Sequence, residues 1–164
     1  MSVERPSGVA AAAEQLRGAS SVAELLALTA ESFVQLLDAP ACTISRVIGD
    51  LLVDLVQHQR AGRQDRLGHG YLISDYPLTR EVIETSEART VYTQDPGTDA
   101  AEAALLAELG YDSLLMLAIQ NDGAAWGLVE VYANGRRFDD GDVQLASALA
   151  AEAGEVLERL SRPA

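Results

Sequence analysis

A carboxylate and a phenol stand two residues apart in a strand-like segment of the last third of the chain. The segment from Trp126 to Ala133 alternates, so Glu130 and Tyr132 share one face of a strand. The residues between and after them are apolar and predict packing of the other face against helices. A half-buried carboxylate beside a phenol binds either a ligand with hydrogen-bond donors or an internal arginine, for which Arg80 and Arg89 are candidates. Both alternatives stay open at this point.

Thiol and imidazole groups are few, which limits redox and metal chemistry. The chain has one cysteine, Cys42, and two histidines, His58 and His69. One cysteine cannot form an internal disulfide, and one thiol with two imidazoles is too small a set for a structural zinc site. Cys42 lies in a predicted strand and is expected to be buried and inert. His69 lies between two glycines and is expected in an exposed loop.

The charge of the chain excludes several classes of partner. Its 25 acidic and 12 basic residues give a formal net charge of −13, and every basic residue is an arginine. Nucleic-acid binding needs a clustered basic face, and only Arg136 and Arg137 are adjacent here. The same charge opposes binding to an anionic membrane surface, and no apolar run approaches the roughly 20 residues of a membrane span. The N-terminus lacks the pattern of a secretory signal, so a cytoplasmic location is expected.

The elements that must position these groups follow from apolar spacing, caps and turn residues within what the length predicts to be one domain. Ser20 or Ser21 can cap a first amphipathic helix, and acidic residues crowd the start of the last one. Asx-Gly turns and β-branched runs predict two hairpins. The predicted order is a helix from Ser21 to Leu37, strands over 41–48 and 51–59, a loop from Arg60 to Gly70, a short segment over 71–73, a helix from Pro77 towards Ser86, a strand over 89–93, a helix over 99–110, strands over 113–120 and 126–133, and a helix over 139–160.

This order predicts an α+β fold with a central antiparallel sheet of about five to six strands. Hairpins dominate and regular strand–helix alternation is missing, which excludes a doubly wound parallel sheet. The helices near the two ends are apolar on one face, so they are expected to pack together on one side of the sheet. Short helices and loops then cover the other side. Residues 1–19 are expected to be flexible or partly helical, with a helical turn or two, ahead of a single domain over 20–162.

Four stretches, taken with their order and spacing, carry a resemblance to a known family. They resemble the GAF domain, the small-molecule sensory module of many bacterial signalling proteins, from about Ser21 to Leu160. Ala118 departs from the family pattern, which often has proline there. The stretches are Asp75–Thr85, which is similar to the helix bordering the ligand pocket, 89–91 for the strand after it, 110–117 for a strand that usually starts Ser-Leu-Leu, and 126–131 followed by Phe138 and the final helix.

The resemblance implies a pocket between one sheet face and the covering helices and loops. Polar residues from the covering segments and from the strands are then expected to ring an apolar cavity. Asp75 is also expected to be the N-cap of the helix that has Pro77 in its first turn. The expected ligand-binding residues are Tyr71, Ser74, Asp75, Arg80, Arg89, Tyr92, Tyr111, Ser113, Glu130 and Tyr132.

Three ligand classes known in the family are disfavoured by the residues. The stretch from Ser74 to Pro77 faintly resembles a bilin-binding motif, but no cysteine follows to carry a bilin. Haem ligation would fall to His69, whose loop position favours plain exposure. Asn134, Phe138 and Asp142 match only half of a cyclic-nucleotide motif. We therefore expect no required cofactor, with haem and bilin disfavoured and the ligand unknown.

The resemblance leads to a sensor rather than an enzyme. A family member that reduces free methionine sulfoxide needs a nucleophilic and normally a resolving thiol, and Cys42 stands alone. We expect a sensor that binds a small organic molecule and signals through its terminal helices to an effector protein or domain. The alternative is a ligand-free interaction module. A homodimer is expected in either case, because small residues in the long helices allow close packing.

Overall fold

The computed structural model describes residues 4–60 and 69–162. They form five α-helices and six strands in the predicted order, and none of these helices is long and apolar enough to cross a membrane. The predicted loop from Arg60 to Gly70 falls mostly on residues 61–68, which lie outside the described residues. The helices are α1 (Glu4–Arg17), α2 (Val22–Leu37), α3 (Pro77–Thr85), α4 (Ala100–Leu109) and α5 (Asp140–Ser161), and the strands are β1 (Ala41–Ile48), β2 (Leu51–Gln59), β3 (Gly70–Leu72), β4 (Arg89–Tyr92), β5 (Ser113–Asn121) and β6 (Ala124–Ala133).

The strands form one antiparallel sheet in the order β3-β2-β1-β6-β5-β4. This confirms the predicted α+β fold and places β6 in the middle of the sheet, between β1 and β5. β6 begins at Ala124, two residues before the predicted start, because the turn after β5 is only Asp122 and Gly123. Both turn residues have positive φ, 55° and 78°, as a tight two-residue hairpin requires.

α2 and α5 cover one face of the sheet, and α1 packs against both of them. The Ser21 hydroxyl accepts a hydrogen bond from the Glu24 amide at 3.1 Å and starts α2, whereas Asp139 and Asp142 form a reciprocal capping box at the start of α5. The N-terminal segment forms the 14-residue helix α1, longer than the expected turn or two. Its alanines give little periodicity in the sequence, but they let α1 pack closely enough to bury Leu16 completely.

The two faces of the sheet bury separate apolar clusters. The cluster under α1, α2 and α5 includes Phe33 and Leu149 together with Val129 and Val131 of β6. The cluster on the opposite face lies under α3 and α4, and Leu128 of β6 belongs to it. Strand alternation therefore divides β6 between the two clusters, as the sequence predicted. α3 and α4, with the 3-10 turn Ile73–Asp75 ahead of α3, form the cover on this second face.

The close approach of α5 to β5 supplies a stability test at Gly154. A Cβ atom added there would lie 2.9 Å from the backbone oxygen of Gln120, so either the helix or the strand must shift. Alanine normally stabilises a helix interior by about 1 kcal/mol relative to glycine. We expect Gly154→Ala instead to lower the free energy of unfolding by about 1–3 kcal/mol, because overpacking outweighs helix propensity. Urea denaturation measures this change.

The matched control is Ser147→Ala, at an exposed position of the same helix. We expect it to change the free energy of unfolding by less than about 0.5 kcal/mol. If Gly154→Ala stabilises the protein, the described contact between α5 and β5 is wrong.

Candidate functional site

A cavity of about 190 Å³ lies between the sheet and its α3–α4 cover. Its wall combines apolar side chains with carboxyl, amide, hydroxyl and phenol groups, the mixture typical of small-molecule sites. Strands β1, β2, β3 and β6 supply its floor and one side. The residues that line it are Thr43, Leu52, Asp54, Gln57, Gln59, Tyr71, Tyr76, Thr79, Leu105, Leu109, Tyr111, Glu130 and Tyr132.

Glu130 occupies the centre of the cavity floor because β6 is a central strand. Its backbone pairs with Thr43 of β1 on one side and Met116 of β5 on the other. These neighbours and the α3–α4 cover leave the Glu130 side chain only 9% exposed. Tyr132, two residues along the strand, faces the same way and is 5% exposed. The sequence-based expectation that both side chains point to one face is therefore confirmed.

Burial raises the pKa of the Glu130 carboxyl to about 8. Loss of hydration is the largest cause, and the negative charges of Glu102 and Asp54 raise the pKa further. A hydrogen bond with Tyr132 acts in the opposite direction and does not cancel them. In the ligand-free protein at neutral pH, Glu130 is therefore mainly protonated and neutral.

Two further carboxyl groups near the cavity are held by hydroxyl groups. The Thr79 hydroxyl of α3 donates a hydrogen bond to Glu102 of α4, and the Ser45 hydroxyl donates one to Asp54 at 2.6 Å. Burial is the main cause that raises the pKa of Glu102, and the Thr79 hydrogen bond partly opposes it. The bond between Thr79 and Glu102 also joins the two helices of the cover over the sheet.

Four tyrosine rings surround the same space as two pairs. Tyr71 and Tyr76 meet edge to face with centroids 6.2 Å apart, and Tyr111 stacks on Tyr132 at 5.1 Å. Burial raises the pKa values of Tyr76, Tyr111 and Tyr132, the last of these most strongly. These phenols stay protonated at physiological pH, so they offer hydroxyl groups and uncharged aromatic faces.

One buried polar atom in the cavity wall lacks a hydrogen-bond partner among the described residues. It is the side-chain oxygen Oε1 of Gln57. A buried acceptor without a partner loses roughly 1–3 kcal/mol relative to its hydrated state. The cavity therefore presents an acceptor that a bound molecule with a hydrogen-bond donor would satisfy.

The structure brings four of the ten predicted site residues together in the cavity wall and leaves six outside it. The four are Tyr71, Tyr111, Glu130 and Tyr132. Ser113 is among the six because strand alternation turns it towards the face covered by α2 and α5. Leu115, two residues further along β5, packs in the apolar cluster on that face. The expected place of Ser113 in the ring was therefore wrong.

The two arginines do not reach Glu130. Arg80 forms an exposed ion pair with Glu84 at 2.9 Å, one helical turn away, and Arg89 contacts Glu81 and Glu87, each at 3.1 Å. Local acidic partners hold both guanidinium groups at the surface. The expectation that either arginine lines the pocket, or neutralises Glu130, is corrected by these contacts.

Of the other three residues outside the wall, Ser74 and Tyr92 have local partners and Asp75 is exposed. The Ser74 hydroxyl donates to Asp50 at 2.7 Å, and Tyr92 lies under the guanidinium of Arg137, 5.0 Å from the ring centroid. Asp75 is exposed in the short turn before α3 and is not its N-cap. Tyr76 takes that position without a side-chain cap, because Pro77 occupies the first helical position.

Sequence reasoning missed several residues that line the cavity or act on it. Asp54 could have been identified, since it lies two residues after Leu52 and therefore on the same face of the strand, but a carboxylate in a strand is usually solvated. Glu102 was indistinguishable from an ordinary acidic residue in the first turn of a helix. Tyr76 and Thr79 come from the α3 region, and only the packing of that helix on the sheet turns them inwards.

Cys42 is separated from the cavity by the sheet. Its side chain is fully buried in the cluster under α1, α2 and α5. Burial is the main cause that raises the pKa of the thiol far above its usual range, so the reactive thiolate is strongly disfavoured. The thiol cannot attack or carry a molecule held in the cavity.

The elevated pKa of Glu130 predicts a characteristic dependence of stability on pH. The folded state binds the proton more tightly than the unfolded state, so this contribution falls as pH rises from about 4.5 to about 8. We expect Glu130→Gln to gain stability over the wild type across this window, by up to about 1.4 kcal/mol per pH unit. Urea denaturation at several pH values measures the difference.

The matched control is Glu84→Gln, which removes an exposed carboxylate outside the cavity wall. Its stability relative to the wild type should change little over the same range. Parallel curves for Glu130→Gln and the wild type would show that Glu130 titrates normally and contradict the burial argument.

Solved structures with a similar fold include bacteriophytochromes and a biliverdin-bound protein. The chromophore-binding domain of a Stigmatella aurantiaca bacteriophytochrome aligns over 94% of this chain and 60% of its own, with 18% identity and a TM-score of 0.81. A bacteriophytochrome from R. palustris aligns over 98% of this chain and 38% of its own, with 12% identity and a TM-score of 0.84. A biliverdin-bound protein in its far-red absorbing dark state aligns over 94% and 99% of the two chains, with 17% identity and a TM-score of 0.81.

These identities show likeness of fold, and this chain spans only 60% and 38% of the two bacteriophytochrome chains. Among curated proteins, none matches the sequence. The family model described as the GAF domain matches residues 21–157, which reach from the start of α2 to the last turns of α5. The match covers most of the chain and agrees with the resemblance found in the sequence. The chain therefore belongs to the GAF domain family.

Proposed function

We propose that this GAF domain is a sensor whose small organic ligand occupies the cavity between β6 and the α3–α4 cover. The observation that carries the proposal is the convergence on one cavity of polar groups from four strands, from Thr79 of α3 and from Tyr111 after α4, with leucines of α4 completing the wall. Such convergence leaves buried polar atoms that a ligand can satisfy, with Gln57 as the clearest case. Proteins of similar fold support the proposal, since one of them has bound biliverdin.

The ligand we propose is smaller than a tetrapyrrole. Typical ligand pockets measure roughly 300–1,000 Å³, whereas this cavity measures about 190 Å³. The one cysteine, Cys42, is on the other side of the sheet, so no thiol among the described residues can anchor a chromophore in the cavity. The same position of Cys42 supports a binding protein without thiol-based enzyme chemistry.

Strand β6 provides the route by which ligand binding reaches the terminal helices. Glu130 and Tyr132 face the cavity, while Val129 and Val131 pack in the cluster under α2 and α5. A shift of the strand on ligand binding must therefore repack that cluster, because packed cores deform little. Amide hydrogen exchange in α5 that is unchanged by ligand would contradict this route.

Native mass spectrometry of freshly purified protein, compared with the denatured chain and with an absorption spectrum, tests ligand binding. We expect a small molecule that is present on the native protein and lost on denaturation. Leu105→Trp should abolish its retention, because Leu105 lines the cavity from α4 and a larger side chain fills the space. Thermal denaturation should show that the variant is folded.

The matched control is Ala104→Trp, which places the same side chain at an exposed position of the same helix. It should retain the ligand. A wild-type protein without any bound molecule, or equal retention by both variants, would contradict the proposed site.

A second candidate function is an interaction module that pairs through its terminal helices. A groove of about 530 Å³ runs along the outer side of α1 and α5, and small or apolar residues form much of it. Val9, Ala10 and Ala13 line it from α1, and Ala148 lines it from α5. Small residues allow close approach of another helix, so we propose a homodimer that pairs through this groove.

Light scattering at micromolar concentration tests the homodimer. We expect a two-chain mass for the wild type and a one-chain mass for Ala148→Arg, because the long side chain fills the groove and prevents the close approach of another helix. Ala107→Arg, at an exposed position of α4, should remain dimeric. A one-chain mass for the wild type would contradict pairing.

A further inference from the structure

The composition of the cavity wall points to a ligand of definite charge. We propose, on the basis of the sensor function above, that the cavity binds a small organic ammonium ion, with tyrosine rings around the cation and Glu130 as its counter-ion. The inference deepens the proposed function by naming the chemical class of the ligand. It draws on the aromatic rings, on the carboxyl groups and on the unsatisfied acceptor that share the cavity.

The tyrosine rings provide the first argument. Tyr71 belongs to β3 and Tyr132 to β6. Tyr76 lies just before α3, and Tyr111 lies between α4 and β5. The rings thus reach the cavity from four separate places in the fold. The electron-rich face of a tyrosine attracts organic cations, and groups of such rings are the usual receptors for alkylated ammonium groups. An anion near these faces would be repelled.

The charge balance of the wall provides the second argument. The carboxyl-bearing residues of the wall, Glu130 and Asp54, are 9% and 6% exposed. Glu102 lies behind the wall, bonded to Thr79, and is 1% exposed. No arginine or histidine is among the described residues that line the cavity. Arg80 and Arg89 are engaged by surface carboxylates. A buried carboxylate is stable only with a cation or a proton, so a cationic ligand fits this wall and an anionic ligand does not.

Hydrogen-bond acceptors provide the third argument. The buried Gln57 Oε1 atom lacks a donor among the described residues. The carboxyl oxygens of Glu130 add further acceptors once the proton has left. An N–H or hydroxyl group of the ligand can donate to these atoms while its charged end lies between the rings. The same acceptors would stay unsatisfied around an ionised carboxylate group, which offers no donors.

Proton release provides a distinctive signature of this binding. In the protein without a bound cation, Glu130 has a pKa of about 8 and is mainly protonated at neutral pH. A cation that binds must therefore displace this proton to form the ion pair. Its titration is influenced by Glu102 from α4, Asp54 from β2 and Tyr132 on its own strand. Tyr71, Tyr76 and Tyr111 also face the cavity. Burial raises the pKa values of Tyr76 and Tyr111, so these two remain neutral phenols near pH 8. Affinity for a cation should therefore rise with pH up to about 8.

The test uses compounds of one shape and three charges, measured by calorimetry on the full chain. Choline and 3,3-dimethylbutylammonium are cations, 3,3-dimethyl-1-butanol is the neutral isostere, and 3,3-dimethylbutanoate is the anion. At pH 8.5 we expect at least one of the cations to bind at least about tenfold more tightly than the alcohol, and the anion to bind most weakly. The affinity of that cation should be roughly 20-fold lower at pH 6.5 than at pH 8.5, and its binding near pH 7 should release a proton.

Variants assign the effect to the cavity wall. Glu130→Gln keeps the shape and removes the charge, so we expect the cations and the alcohol to bind within about threefold of each other, with little dependence on pH. Tyr111→Phe keeps the aromatic face and should retain the preference for cations, whereas Tyr111→Leu should weaken it. Glu84→Gln, outside the wall, serves as the matched carboxylate control and should behave as the wild type.

The outcomes separate this inference from the proposed sensor function. If the alcohol or the carboxylate binds as tightly as both cations, and Leu105→Trp blocks that binding, the cavity is a ligand site without a preference for ammonium ions. If neither cation binds, the ammonium inference is wrong, whatever molecule the native protein retains. If no molecule of any charge binds and none is retained, the sensor function fails as well.

Discussion

A carboxyl group buried on the central strand of the sheet is the constraint around which the cavity is organised. Glu130 has neighbouring strands on both sides and two helices above it, so its charge would be poorly hydrated. A buried carboxylate without compensation would cost several kcal/mol, and the fold avoids this cost by keeping the group protonated. The group is therefore neutral when the cavity is empty and ready to ionise when a cation enters.

The two faces of the sheet make this arrangement possible. Alternate residues of β6 pack in the apolar cluster under the terminal helices and leave Glu130 and Tyr132 on the other face. The helices of the cover are themselves joined by a polar contact, from Thr79 to Glu102. The cavity face thus combines hydroxyl–carboxyl contacts with the apolar cluster under α3 and α4, whereas the larger apolar cluster lies on the opposite face.

Much of the fold could be predicted from local patterns, because turns, caps and strand alternation are encoded by neighbouring residues. The two hairpins, the start of α2 at Ser21 and the inward direction of Glu130 are examples. The site was harder to predict, because its wall combines side chains that are distant in sequence. The covering segment offered polar residues of the expected type, but Ser74 found a partner in Asp50 outside the cavity.

Errors at the site have a common physical cause. A polar residue takes the nearest partner that satisfies it, and in this acidic chain an arginine finds a carboxylate close by, as Arg89 finds Glu87. Glu102 escaped notice for the converse reason, since only the packing of α4 buries it. Knowledge of the covering helices is therefore needed to separate residues that face the cavity from those that face solvent.

The role of Glu130 as a buried carboxyl group and counter-ion is tested most directly by NMR. The signal of its side-chain carboxyl carbon is followed in pH titrations with and without saturating choline. We predict that the titration of Glu130 has its midpoint near pH 8 in the free protein. In the complex the midpoint should lie below pH 7, because the bound cation favours the carboxylate. A midpoint near 4.5 in the free protein would contradict the buried carboxyl. A midpoint near 8 that choline leaves unchanged would contradict the role of Glu130 as a counter-ion.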